Sequence, residues 1–185
     1  MKELSLNILD IVQNSISAHA EHIGIALCED ADGILTMTVC DDGCGMSAET
    51  LRRVTDPFCT TRTTRKVGMG IPLLRLAAEQ TGGSLTIEST AQTDDPTGHG
   101  TVLRATFDTK HIDMTPLGDV VSTLTTILQG HPEIDYVFEH DTPRFRVHLD
   151  TKELRAVLGD VPLDNLEVLH WIGDYLREQY ETTKK

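Results

Sequence analysis

Two alternating stretches, His22–Cys28 and Ile34–Cys40, flank Asp30-Ala31-Asp32-Gly33 and most constrain the fold. Period-two alternation across a turn rich in Asp and Gly predicts an antiparallel hairpin with one buried face. A half-buried hairpin needs a cover, and the segment before it supplies one. Across Leu4–Ala20 the apolar residues Leu4, Ile8, Leu9, Ile11, Val12 and Ile16 recur with helical spacing, while Asp10, Asn14 and Ser17 share another face. Downstream, Ser47 opens a short helix to Val54, a second helix runs from Ile71 to Thr81 and stops at Gly82-Gly83, and strands follow at Ser84–Ser89 and Thr101–Phe107.

Beyond Asp108 the signals predict a helix over Pro116–Gln129 and a hairpin of Ile134–His140 with Arg144–Leu149. Two further helices are predicted, capped in D-x-x-E patterns at Asp150 and Asp164. In the last of them Leu166, Leu169, Trp171, Ile172, Tyr175 and Leu176 read as one apolar docking face, toward the chain's own body or a partner. The expected organisation is a first domain over residues 1–108 and a small α+β extension over residues 109–185. The expected fold is an α/β (α+β) two-layer sandwich: a mixed sheet with helices on one face.

Composition narrows the function. The formal net charge is −13, which disfavours nucleic acid and anionic membrane as partners, because phosphate surfaces reward Lys and Arg. No apolar run reaches the roughly 18–20 residues of a membrane span, and the N-terminus lacks signal-peptide architecture. A cytoplasmic setting with reduced Cys28, Cys40, Cys44 and Cys59 is expected. None of these cysteines forms a C-x-x-C pair, and the histidines are scattered without ligand spacing.

Chemistry concentrates in three clusters. Asp10 and Asn14 stand four apart on the first helix, so both point one way; an Asn oxygen suits Mg²⁺, and a carboxylate can orient water or take a proton. Asp41-Asp42-Gly43-Cys44-Gly45-Met46 leaves a strand end, where a carboxylate can accept from an exocyclic amine and glycines permit close approach. Lys66-Val67-Gly68-Met69-Gly70 opens the helix from Ile71, so free amides there form an anion site. Arg62, Arg65 and Lys66 make this the main cationic cluster of an acidic chain. Each cluster also has a plain structural reading: a solvated helix face, a tight turn, a basic hinge.

Together and in this order the boxes resemble the histidine-kinase-like (GHKL) ATPase superfamily, whose fold is the Bergerat fold. The pattern is D-x-x-x-N, D-x-G-x-G-M, P-F-x-T-T-[KR]…G-x-G at a helix start, G-G-x-[LI]-x-[IV]-x-S, and G-x-G-T, over about Leu4 to Phe107. The resemblance implies bound ATP and Mg²⁺, with Asn14 as metal ligand and Asp10 in the place of the general base. Asp41 reads the adenine amine, and Gly43, Gly45 and Met46 shape the loop against the base. Phe58, Thr60, Thr61, Arg62 and Lys66 belong to a lid over the phosphates; Gly68, Met69 and Gly70 give amides to them; Gly100-Thr101 completes the pocket floor. Pro72 stands where many relatives have a third glycine, and Asp10 is a methylene shorter than the usual Glu, which weakens a hydrolytic role.

His111-Ile112-Asp113-Met114-Thr115-Pro116-Leu117 faintly echoes a phosphoacceptor box, yet Ile112 occupies the acidic position, and an exit loop is the expectation. The implied function is a stand-alone module that passes the γ-phosphoryl group to a separate protein. The alternative is a nucleotide sensor that changes partner binding with little turnover. A homodimer is compatible with either.

Overall fold

The computed structural model describes residues 3–55 and 70–182. Among these described residues twelve elements occur, in the order α1 (Leu4–Ser17), β1 (His22–Glu29), β2 (Ile34–Asp41), α2 (Ala48–Thr55), α3 (Gly70–Gln80), β3 (Leu85–Thr90), β4 (Gly100–Asp108), α4 (Val120–Gly130), β5 (Asp135–Asp141), β6 (Arg146–Asp150), α5 (Thr151–Leu158) and α6 (Leu166–Thr182). The strands form a single six-stranded sheet in the order β3-β4-β2-β1-β5-β6. All pairings are antiparallel except β1 with β5, which run side by side in parallel. The expected two-layer α+β class is thus realised.

The predicted hairpin closes as its turn residues dictate. Asp30 Oδ1 accepts from the amides of Asp32 and Ile34, and Gly33 takes a left-handed φ of 85°. Alternation then buries Ile23, Ile25 and Leu27 of β1 with Leu35, Met37 and Val39 of β2. Leu4, Ile8, Ile11 and Val12 of α1 share that core with Leu103, Ala105 and Phe107 of β4. Tyr136, Phe138, Val147 and Leu149 of the last two strands, and Ile172 and Leu176 of α6, belong to the same cluster. Residues after Asp108 therefore extend the same sheet and core.

Three local expectations are corrected. The fourth helix starts at Val120, capped by Asp119, whose side chain accepts from the Ser122 amide; Pro116 lies outside it. The Pro116 and Leu117 carbonyls instead accept from the amides of Leu4 and Ser5, at 2.9 and 2.8 Å. The N-cap of α1, Glu3, offers no side-chain cap, so these carbonyls meet the orphan donors of the helix start. The first helix ends at Ser17 rather than Ala20, because His19 turns left-handed at φ 59°. The last helix is capped by Asn165, whose Oδ1 accepts from the Glu167 amide, and not by Asp164.

The apolar face expected on α6 divides. Leu169, Ile172 and Leu176 enter the core, whereas Leu166, Trp171 and Tyr175 stay exposed, the two rings stacked with centroids 5.4 Å apart. Among the described residues no helix is long and apolar enough to cross a membrane.

Candidate functional site

The register gathers the chemistry at one end of the sheet. Asp41 at the end of β2 pairs with Ile23 near the start of β1 and with Thr101 near the start of β4, and Thr101 pairs with Ser89 of β3. Above this end lies the C-terminal half of α1. Between helix and sheet opens a cavity of about 260 Å³ lined by Asn14, Ser15, Asp41, Gly45, Met46 and Thr101, with Val39, Ile71, Ile87 and Leu103 among its apolar walls. That volume falls just short of the roughly 300 Å³ at which ligand clefts usually begin. Five sequence-predicted residues, Asn14, Asp41, Gly45, Met46 and Thr101, line this one cavity.

Asp41 is half-buried and held from both sides. Ser15 Oγ donates to its Oδ2 at 2.6 Å, and the Gly43 amide donates to its Oδ1 at 3.0 Å. Bonds to a carboxylate are among the stronger protein hydrogen bonds, so the carboxylate direction is fixed before any ligand arrives. Ser15, itself 3% exposed, was not among the residues the sequence singled out. A small polar residue beside Asn14, on a face otherwise apolar, was its only signal.

The glycines have distinct reasons. Gly45 has φ 62°, and a Cβ there would stand 1.8 Å from the Thr90 carbonyl oxygen. Gly100 has φ 137°, and its Cβ would stand 2.0 Å from the Asp41 carbonyl oxygen. The loop is thus pressed flat against the ends of β3 and β4. Its other bonds keep it there: Met46 N donates to Ser89 Oγ, Gln92 N to the Cys44 carbonyl, and Cys44 N to the Ala18 carbonyl. His99 Nδ1 lies 2.6 Å from the Gly43 carbonyl and, as an N–H, donates to it. Ser89 closes the G-G-x-[LI]-x-[IV]-x-S box but had no assigned role, and His99 was missed, because both roles depend on a register that sequence does not display.

Asp10 is exposed one turn before Asn14, and a Cβ on Gly70 would come within 2.9 Å of the Asp10 Cβ. The starts of α3 and the middle of α1 therefore touch at the point where the sequence placed phosphate-binding amides. Pro72 sits in the first turn of α3, where a missing amide costs nothing. Phe58, Thr60, Thr61, Arg62, Lys66, Gly68 and Met69 lie outside the described residues. The Asn14 side chain is exposed on α1 and offers a hard oxygen. Among the described residues no group of three or more His, Cys, Asp and Glu is placed to hold a metal ion. Magnesium needs none, since one or two protein oxygens, phosphate and water complete its shell.

Residues 2–111 match the model of the histidine kinase-, DNA gyrase B- and HSP90-like ATPases, and the chain belongs to that family. A candidate sensor protein of Shewanella frigidimarina (strain NCIMB 400) is 29% identical over 109 residues, which make up 57% of this chain and 16% of that protein. The chain therefore corresponds to a small part of that relative's length. Among solved structures, the N-terminal domain of a DNA repair protein aligns with a TM-score of 0.54 at 17% identity, over 86% of this chain and 58% of that one. The Aquifex aeolicus MutL ATPase domain complexed with ADP aligns with a TM-score of 0.54 at 11% identity, over 85% of this chain and 69% of that one. These likenesses carry the fold, and they extend past the residues that the family model matches.

Proposed function

We propose that the chain binds Mg·ATP with adenine in the cavity between α1 and the sheet and passes the γ-phosphoryl group to a separate protein. The observation that carries the nucleotide assignment is Asp41: a carboxylate fixed by Ser15 Oγ and the Gly43 amide on the wall of a mostly apolar cavity. Such a group accepts an exocyclic N–H and repels a carbonyl, which selects adenine over guanine. Asn14 faces the same cavity and would hold Mg²⁺, which neutralises phosphate charge. Gly70, at the start of α3 beside Asp10, would lend its amide to the phosphates. The ADP-bound MutL domain and the sensor-like relative support nucleotide binding and a signalling role.

Transfer to a protein is preferred to hydrolysis because Asp10 has a shorter reach than Glu. The second reading, a nucleotide sensor with little turnover, rests on the same shortened side chain. Calorimetry with magnesium tests the binding: ATP should give heat, GTP much less, and Asn14→Ala should remove the magnesium dependence. Equal binding of ATP and GTP would defeat the Asp41 assignment. Label passing from γ-labelled ATP to a co-purifying protein would establish the kinase; nucleotide-dependent capture of that protein without transfer would establish the sensor.

A further inference from the structure

Asp42, the neighbour of Asp41, points away from the cavity and is bound more heavily than its exposure requires. Its Oδ1 accepts from the amides of Glu21 at 2.8 Å and His22 at 2.9 Å, while its Oδ2 lies 2.7 Å from His22 Nδ1. Burial works to raise its pKa, but the bonds from His22 and Glu21 prevail and hold the carboxyl below its ordinary value. It is therefore ionised, and can only accept. On the far side of the same imidazole, Lys152 Nζ lies 2.8 Å from His22 Nε2. An ammonium has only donors, so in the tautomer with its proton on Nδ1 the ring accepts from Lys152 at Nε2 and donates to Asp42; Nε2 also stands 3.5 Å from Asp135 Oδ2.

In that tautomer the bonds run in one direction, from Lys152 through His22 to Asp42, with Asp135 beside both Lys152 and His22. Lys152 belongs to α5, whose cap is Asp150, and it also stands 3.6 Å from Asp135 Oδ2 of β5. Asp135 is in turn 3.2 Å from Arg155 Nε. A chain of side chains thereby joins the segment beyond residue 111, which the family model does not match, to the loop that carries Asp41. The loop's own stake is direct, since Gly43 follows Asp42 and its amide fixes Asp41 Oδ1. Rotation of the Asp42 backbone would carry that amide away from Asp41.

We propose that Asp42, braced by His22 and Lys152, is a positioning residue for nucleotide recognition, so that α5 sets how firmly the Asp41 loop grips the base. This rests on the nucleotide reading given above. Lys152 and His22 are each about half exposed, at 56% and 50% of their side chains, so the brace tunes the loop and does not hold up the fold.

The test measures Mg·ATP affinity by calorimetry and hydrogen exchange of the 41–46 peptide, on the full chain, for the unaltered protein, K152M, K152R, D42N and D42N/K152M. Lys152→Met should weaken ATP two- to five-fold, on the order expected of a half-exposed bond, and speed exchange at Gly43 and Cys44 with an unchanged melting temperature. Lys152→Arg, which keeps a donor toward Nε2, should restore both. In the Asp42→Asn background the Lys152→Met effect should vanish, because the chain of bonds is already cut. Unchanged affinity and exchange in Lys152→Met, or effects that multiply in the double variant, would overturn the proposal. Unaltered protein that gives no heat with ATP fails the nucleotide reading itself, and the exchange data still decide whether Lys152 acts on the loop.

Discussion

Gly45 and Gly82 provide a matched pair for measuring how tightly the Asp41 loop is pressed onto the sheet. Both glycines have left-handed φ, 62° and 78°, so alanine at either site bears the same conformational penalty. That penalty is about 1–2 kcal/mol, partly offset by a stiffer unfolded chain, and leaves a net cost of about 1 kcal/mol. Around Gly82 a Cβ meets nothing within 4 Å, so the cost stops there. At Gly45 the same atom would stand 1.8 Å from the Thr90 carbonyl oxygen and 2.7 Å from its carbon, so backbone must move by more than an ångström. The Cys44 amide and carbonyl and the Met46 amide are all bonded, which leaves the loop little freedom to yield. Overpacking of this kind adds about 1–3 kcal/mol, so Gly45→Ala should cost about 2–4 kcal/mol against about 1 kcal/mol for Gly82→Ala. Urea unfolding with linear extrapolation resolves that gap if the slopes agree. A Gly45→Ala protein no less stable than Gly82→Ala would refute the packing argument, and with it the reason for glycine at this position.

Ser15→Ala removes the 2.6 Å bond to Asp41 Oδ2 and leaves Asp41 with the Gly43 amide alone. A bond to a charged group is worth about 1.5–3 kcal/mol; water at half-buried Asp41 recovers part of it, so ATP affinity should fall about tenfold. An unchanged dissociation constant would show that Asp41 needs no such support. His140 tests the core beneath the last helix. Burial lowers its pKa to about 4, and its Nδ1 lies 2.9 Å from the Tyr180 hydroxyl. Between about pH 6.5 and 4 the unfolded chain binds a proton there that the folded chain refuses, so stability falls as pH drops through that window and levels off below it. The full span is about 3 kcal/mol, read as the difference between the unaltered protein and His140→Gln across pH 7 to 4. A difference that stays constant with pH would remove His140 as the cause.

What could be read from the sequence was whatever depends on neighbours along the chain. The β1–β2 turn was legible because Asp30 and Gly33 carry their own geometry, and the tight loop after Asp41 because Asp and Gly favour such turns. That Asp10 and Asn14 stand one turn apart on a single helix was legible from their spacing. Pro116 misled for a physical reason: proline suits a first helical turn, but the unmet amides of Leu4 and Ser5 took the Pro116 and Leu117 carbonyls first. Helical spacing could not divide Leu166, Trp171 and Tyr175 from Leu169, Ile172 and Leu176, because it marks all six as apolar without showing which of them the core already holds.

The rest of the site was hidden because it is made of distance across the sheet. Thr90 forbids a side chain at Gly45, Asp41 forbids one at Gly100, and Ser15 fixes Asp41 from another element. The same holds for the extension. Local alternation predicts the β5–β6 hairpin but says nothing of which edge receives it, and the answer, β5 in parallel beside β1, brings Asp135 level with His22. Had β5 joined at the β3 edge instead, Lys152 and Asp42 would lie at opposite sides of the sheet. The parallel pairing of one strand therefore decides whether the extension touches the Asp41 loop at all, and a contact between Lys152 and His22 follows from it rather than from either residue's place in the chain.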